Sequence, residues 1–137
     1  MLSDSKKYVT DKHIERINFH GVVGSEDFFR KASIFCFTSI HEGFPMVLLE
    51  SLQSSTVPIL FQSFASCSDI IDDRENGILV PPFNEDFYAT ELTNLMSDSE
   101  YRDTFAKNAY KKSQNFSIDK IGDKWHRLII NTKEESL

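Results

Sequence analysis

Residues Ser39 to Glu50, SIHEGFPMVLLE, concentrate the side chains whose types and spacing could do chemistry. They follow a continuous apolar run of strand length, Ser33 to Ser39 (SIFCFTS), and lead into a helical pattern with Pro45 at its first position. In a parallel α/β sheet, ligands bind beyond the carboxyl ends of the strands. A helix beginning there aims its unpaired N–H groups and the positive end of its dipole at the ligand, which makes an anion site without any basic side chain. Gly43 lets a ligand approach the backbone closely. Glu42 enters from the loop, and Glu50 lies about one and a half turns into the helix, on the side of Met46. Amides for a diphosphate and two carboxylates for sugar hydroxyls would suit a sugar nucleotide. On the residues alone, a competing reading stays open: two solvated glutamates beside an ordinary Gly43-Phe44-Pro45 turn.

The elements that must position this stretch follow from hydrophobic pattern and turn chemistry. Residues 1–16 form a polar lead-in, loose or partly helical. Ile17 to Val23 (INFHGVV) alternates like a short strand and stops at Gly24. Ser25 is a candidate cap for a short helix with Phe28, Phe29 and Ala32 facing inward. The run at 33–39 suits a strand buried on both faces. The helix from Pro45 reaches about Ser55, with Leu48 and Leu52 four apart and the small Ser51 between them for close packing. Val57 to Phe61 (VPILF) is another buried strand, Ser68 to Asp72 a short helical stretch, and Asn76-Gly77 a turn before the strand Ile78–Val80. Three helices follow, at roughly 85–97, 99–114 and 118–132, with Asn84, Ser99 and Ser117 as caps, before a tail at 133–137. Trp125, Leu128 and Ile129 read as packing against the core, and Lys111-Lys112 as a solvated pair. Alternating strands and helices predict an α/β fold, a parallel sheet with helices on both faces. Four strands are fewer than the six or so of an open doubly wound sheet, so the chain is expected to be the later part of a larger α/β protein.

Composition bounds the rest. The chain has 137 residues, 40% hydrophobic with 12 Phe, enough for one domain with a real core. A net charge of −6 argues against a nucleic-acid binder. Cys36 and Cys67 read as two reduced, buried thiols, with a lone disulfide as the alternative. No apolar run approaches the roughly 18 residues of a membrane span, and the start lacks the pattern of a signal peptide. A cytoplasmic protein is expected. His13, His20, His41 and His126 lack zinc spacing and read as structural, His41 being a secondary candidate for ligand contact. The run Asp72 to Gly77 is a turn rather than a calcium loop, because Arg74 occupies a ligand position and Phe83 stands where the closing Glu belongs. With no D-x-D pair, P-loop or G-x-S-x-G, no metal and no cofactor is expected.

Glu42-x7-Glu50 within HEGFPMVLLE resembles the E-x7-E signature of retaining glycosyltransferases, especially family four. The likeness extends, in order, through Phe19-His20-Gly21, Ala32-Ser33-Ile34-Phe35, Val57-Pro58-Ile59, Asp69-Ile70-Ile71 and Asn76 to Pro82, over roughly residues 17 to 130. It implies a Rossmann-like C-terminal domain of the two-domain GT-B fold, here 17–132, with the active site between the domains. It implies transfer of a sugar from a nucleotide donor to an acceptor hydroxyl with retention, in polysaccharide or glycoconjugate assembly. Glu42 would contact the donor sugar, orienting it rather than acting as a nucleophile, and Glu50 the nucleotide ribose. The amides of Gly43, Phe44, Met46 and Val47 would line the sugar and diphosphate. The partners implied are a nucleotide-sugar and the missing N-terminal acceptor domain or a partner chain, with peripheral membrane contact through that half.

Three features depart from the family. Nothing before Ile17 matches its phosphate-binding Arg and Lys, since Lys6, Lys7, Lys12 and Arg16 stand in another context. The acceptor domain is absent, so the isolated chain is expected to turn over nothing. Ser55 and Ala65-Ser66 replace glycines, and their side chains are expected to narrow the nucleotide site. A non-catalytic nucleotide-sugar-binding or protein-interaction module is the alternative; a sugar-nucleotide epimerase of the same fold fits the E-x7-E block less well.

Overall fold

The computed structural model describes residues 2–134. Helices α1 (Leu2–Asp11) and α2 (Ser25–Phe29) precede strand β1 (Ile34–Phe37), helix α3 (Met46–Gln53), β2 (Val57–Phe61), α4 (Cys67–Ile70) and β3 (Ile78–Val80). Helices α5 (Glu85–Ser97), α6 (Ser99–Ser113) and α7 (Ile118–Glu134) follow, with a 3-10 turn at Gln114–Phe116. The strands form one parallel sheet in the order β1-β2-β3, with Ile34 opposite Val57 and Ile59 opposite Ile78. The α/β class and the parallel sheet covered on both faces are as expected.

Strand alternation divides the core between the two faces. On one face Leu60 packs with Leu48, Leu49 and Leu52 of α3, Cys67 and Ile70 of α4, and Ala109 of α6, with Phe35 and Phe37 at the margin. On the other, Val57, Ile59, Ile78 and Val80 meet Tyr88 and Leu95 of α5 and Phe105 of α6. Leu48 and Leu52 are wholly buried, each stabilising the fold by about 1.5–3 kcal/mol. Ser51 sits between them as read, also buried, its hydroxyl donating to the Leu48 carbonyl at 2.7 Å. That packing fixes the orientation of α3, and with it the direction its first amides face.

Several elements differ from expectation. Residues 17–23 form no strand: Gly21 turns the chain at φ +71° and Val22 is fully exposed. Ile17 and Phe19 instead line a shallow cleft with Tyr8 and Val9 of α1. A period-2 pattern needs a ladder partner to become a strand, and this segment has none among the described residues. Three strands therefore replace four. β1 is shorter than the 33–39 run and only half-covered, because it is an edge strand; Cys36 on it is exposed, so only Cys67 is a buried thiol. Phe29 alone of the α2 trio is buried, while Phe28 and Ala32 are exposed. Gly24, not Ser25, precedes α2, and Asp98 rather than Ser99 caps α6, its carboxylate accepting from the Tyr101 amide at 2.9 Å. Asn84 caps α5 as read, and the Ser117 hydroxyl accepts from the Lys120 amide at 3.4 Å. Pro45 stands one residue before α3, which ends at Gln53, and α4 begins one residue before Ser68. Lys112 is no solvated partner of Lys111, since its ammonium holds both oxygens of Asp72 at 2.7 and 2.8 Å. Trp125, Leu128 and Ile129 of α7 are 61%, 57% and 55% exposed rather than packed on the core. Of the expected tail, residues 135–137 lie outside the described residues.

Asn76-Gly77 closes a turn before β3 as read: the Arg74 amide donates to the Gly77 carbonyl at 2.9 Å and the Glu75 amide to the Asp72 carbonyl at 3.0 Å. Asn76 is buried, accepting from the Asp72 amide at 2.8 Å and donating to the Ile70 carbonyl at 3.2 Å. Nearby, Arg74 pairs with the buried carboxylate of Glu91 at 2.8 Å, and that bond raises the guanidinium pKa above its ordinary value.

Ser55 occupies the left-handed region at φ +57°. It is exposed at the turn between α3 and β2, at the opposite end of the strands from the loop that begins α3. It therefore does not narrow that loop's surroundings as expected. Relief of the left-handed strain, less the extra chain entropy of glycine, predicts that Ser55→Gly stabilises the fold by about 0.5–1 kcal/mol, read as a raised urea midpoint.

Candidate functional site

The loop from Thr38 to Pro45 leaves the carboxyl end of β1 and delivers the chain to α3. The loop after β2 holds it in place. Ser63 donates its hydroxyl to the Ser39 carbonyl at 3.0 Å, and Ser66 donates to the Gly43 carbonyl at 2.7 Å. Pro45 is buried, and the Leu48 amide donates back to its carbonyl at 3.1 Å, closing the first turn. Among the described residues, the N–H groups of Gly43, Phe44, Met46 and Val47 find no acceptor within the protein. Four free amides at a helix start concentrate partial positive charge where an anion would be welcome.

The side chains around these amides are disposed as follows. Glu42 is exposed in the loop and makes no hydrogen bond or ion pair with the described residues. His41 is exposed too, its carbonyl accepting from the Ser39 hydroxyl at 3.4 Å. A methyl group at Gly43 would meet nothing within 4 Å, so the loop faces open space there. Phe44 is 45% exposed with its ring 6.1 Å from that of Phe116, Met46 is 60% exposed, and Val47 is half-buried. Glu50 is half-buried and accepts a 2.7 Å hydrogen bond from the Ser25 hydroxyl at the start of α2.

Glu50 thus lies where α2 and α3 meet, one wall of a polar cleft of about 540 Å³ that Ser25, Arg30, Gln53 and Ser54 help to line. Glu42 is not part of that cleft. The structure brings the amides and Glu42 onto one loop and helix start, and places Glu50 one turn further along α3, turned toward α2. Sequence reasoning missed Ser25 and Ser66 as members of this region. Ser25 was masked by its proximity to a helix start, where serine usually caps. Ser66 was visible as a departure from glycine, but the structure turns its side chain onto the Gly43 carbonyl, where it ties the two loops together.

Chemically, the arrangement offers free donors for a polyanion and carboxylates for hydroxyl groups. Among the described residues, no three His, Cys, Asp or Glu side chains converge to hold a metal ion, and no helix is long and apolar enough to cross a membrane.

Comparison with known proteins bears on what this arrangement serves. The family model described as Glycosyl transferases group 1 matches residues 3–112. An alpha-1,4-N-acetyl-D-galactosaminyltransferase of Campylobacter jejuni, named for the acceptor GalNAc-alpha-(1->4)-GalNAc-alpha-(1->3)-diNAcBac-PP-undecaprenol, is 30% identical over 119 residues. That match covers 86% of this chain and 33% of the relative, so the chain spans about a third of the relative's length. The C-terminal domain of a glycosyl transferase group 1 family protein (LpcC) from Francisella tularensis superposes with a TM-score of 0.71 at 27% identity, over 85% of this chain and 62% of that one. Anabaena Alr3699/HepE in complex with UDP-glucose superposes with a TM-score of 0.83 at 19% identity, over 95% of this chain and 36% of that one.

Proposed function

The chain belongs to the glycosyl transferases group 1 family, and on that premise we propose that it forms the second part of the nucleotide-sugar-binding domain of a longer enzyme. That enzyme transfers a sugar to an acceptor hydroxyl with retention of anomeric configuration, in the assembly of a polysaccharide or glycoconjugate. The observation that carries this reading is the set of four free amides at the start of α3, with carboxylates on either side of it in the sequence. UDP-glucose bound to a protein of the same fold, and the lipid-linked saccharide in the relative's name, support the substrate class.

In this reading the amides of Gly43, Phe44, Met46 and Val47 hold the donor diphosphate. They stabilise the negative charge that develops on it as the glycosidic bond breaks, a contribution of the oxyanion-hole type. Glu42 accepts hydrogen bonds from hydroxyls of the donor sugar and orients its anomeric carbon; Glu50 accepts from the ribose. No metal or other cofactor is invoked, and the basic groups that complete the diphosphate site come from residues outside this chain. Two features support a larger assembly: the half-covered edge of β1, and the exposed apolar face of α7 carrying Trp125, Leu128 and Ile129. We assign those surfaces to the remaining N-terminal half, which binds the acceptor and supplies any contact with the membrane, and we place the enzyme in the cytoplasm.

The test is the product formed by the complete enzyme from an α-linked UDP- or GDP-sugar. An α-linked product, read from its anomeric proton, supports the proposal; a β-linked product overturns retention, and no product with any such donor overturns the transferase role. A second reading, a non-catalytic binding or interaction module, has two observations on its side. Glu50 already bonds Ser25 within the protein, and Glu42 lies outside the cleft that Glu50 lines.

A further inference from the structure

We propose that Ser66 is a positioning residue of the donor site, its hydroxyl holding the Gly43 carbonyl so that the Phe44 N–H is aimed outward at the diphosphate. The inference rests on the donor-site reading above and deepens it. Ser66 is 7% exposed, and its hydroxyl donates to the Gly43 carbonyl at 2.7 Å. The peptide between Gly43 and Phe44 is trans, as all the described peptide bonds are. In a trans unit the C=O and the N–H point in opposite directions. Anchoring the carbonyl against the β2–α4 loop therefore turns the Phe44 N–H away from that loop, and it meets no acceptor within the protein.

Packing does not secure the same orientation. The position a side chain would fill at Gly43 is empty to 4 Å, and glycine moves between backbone conformations more freely than any other residue. Among the described residues, no hydrogen bond other than that from the Ser66 hydroxyl holds this peptide unit, so its loss leaves the N–H less firmly aimed. The neighbouring bond from Ser63 to the Ser39 carbonyl fixes the spacing of the two loops but leaves the Gly43–Phe44 unit untouched. Ser66 stands where the resembling family has a glycine, so the device belongs to this chain's own residues.

The test separates phosphate binding from nucleoside binding. The 137-residue chain and its Ser66→Ala, Ser66→Thr and Ser66→Gly variants are titrated by calorimetry with UDP and uridine, and with GDP and guanosine. For the nucleotide that the parent chain binds, loss of one preorganised amide predicts diphosphate affinity about three- to ten-fold lower in Ser66→Ala and Ser66→Gly, with nucleoside affinity unchanged and the parent value restored in Ser66→Thr. Ser66→Gly keeps the test open if Ser66→Ala fails to fold, because it restores the family's residue. An unchanged ratio of diphosphate to nucleoside affinity, or an equal loss of both, overturns the proposal. If the parent chain binds neither diphosphate more tightly than its nucleoside, the donor-site reading falls, and this inference with it.

Discussion

Replacing Glu42 by alanine in the complete transferase is expected to lower kcat by about 100-fold or more, while KM for the donor changes little. The reason lies in where each carboxylate acts. Glu42 enters from the loop beside the free amides and is assigned to the sugar, whose hydroxyls shift position as the anomeric carbon flattens; its hydrogen bonds are stronger in the transition state than in the bound donor. Glu50 lies further along α3 and is assigned to the ribose, which is remote from the bond that breaks. Its removal costs ground state and transition state alike, so Glu50→Ala raises donor KM by about ten-fold at nearly constant kcat. Steady-state kinetics with varied donor separates the two. Parent-like rates in both variants contradict the assignment, and an effect of Glu42→Ala confined to KM contradicts its role at the sugar.

Gly77→Ala is expected to destabilise the fold by about 2–3 kcal/mol, lowering Tm by roughly 10 °C. A methyl group there would stand 2.9 Å from both the Cγ and the carbonyl oxygen of Pro58, and 3.1 Å from Ile71 Cγ2. Pro58 lies in β2, the central strand, so its carbonyl cannot retreat without disturbing the sheet. Gly43→Ala is the contrast. Its methyl meets open space, so stability stays within about 0.5 kcal/mol of the parent, while the diphosphate loses its close approach to the backbone. Thermal unfolding of the two variants reads the difference. Equal stability of Gly77→Ala and the parent would show that the loop before β3 yields more easily than its contacts imply.

Where local pattern and tertiary context agreed, the chain was readable from its residues. The VPILF run became the central strand because both its faces are covered, and Leu48, Ser51 and Leu52 became the buried face of α3 because helical spacing places them together. Legibility failed where a pattern required a neighbour. The alternation at 17–23 has no strand beside it, and SIFCFTS is apolar enough for a central strand yet lies at an edge with Cys36 uncovered. The apolar stripe of α7 signals burial, yet Trp125 and Ile129 on it are more than half exposed. Asn76-Gly77 marked the turn before β3 correctly, but the buried amide network and the close approach to Pro58 that hold it there are invisible to turn statistics. At the candidate site, the amide row followed from chain order alone. The bonds from Ser25 to Glu50 and from Ser66 to Gly43 did not, because contacts between residues more than twenty positions apart leave no mark on local spacing.

The most direct measurement of the donor-site reading is the amide spectrum of the isotope-labelled 137-residue chain as UDP or GDP is added. The account predicts that the resonances of Gly43, Phe44, Met46 and Val47 move together with one of these nucleotides, and that those of the Lys111–Lys112 region do not. No movement at these four amides at millimolar concentrations of either nucleotide, or movement confined to the Lys111–Lys112 region, would contradict it.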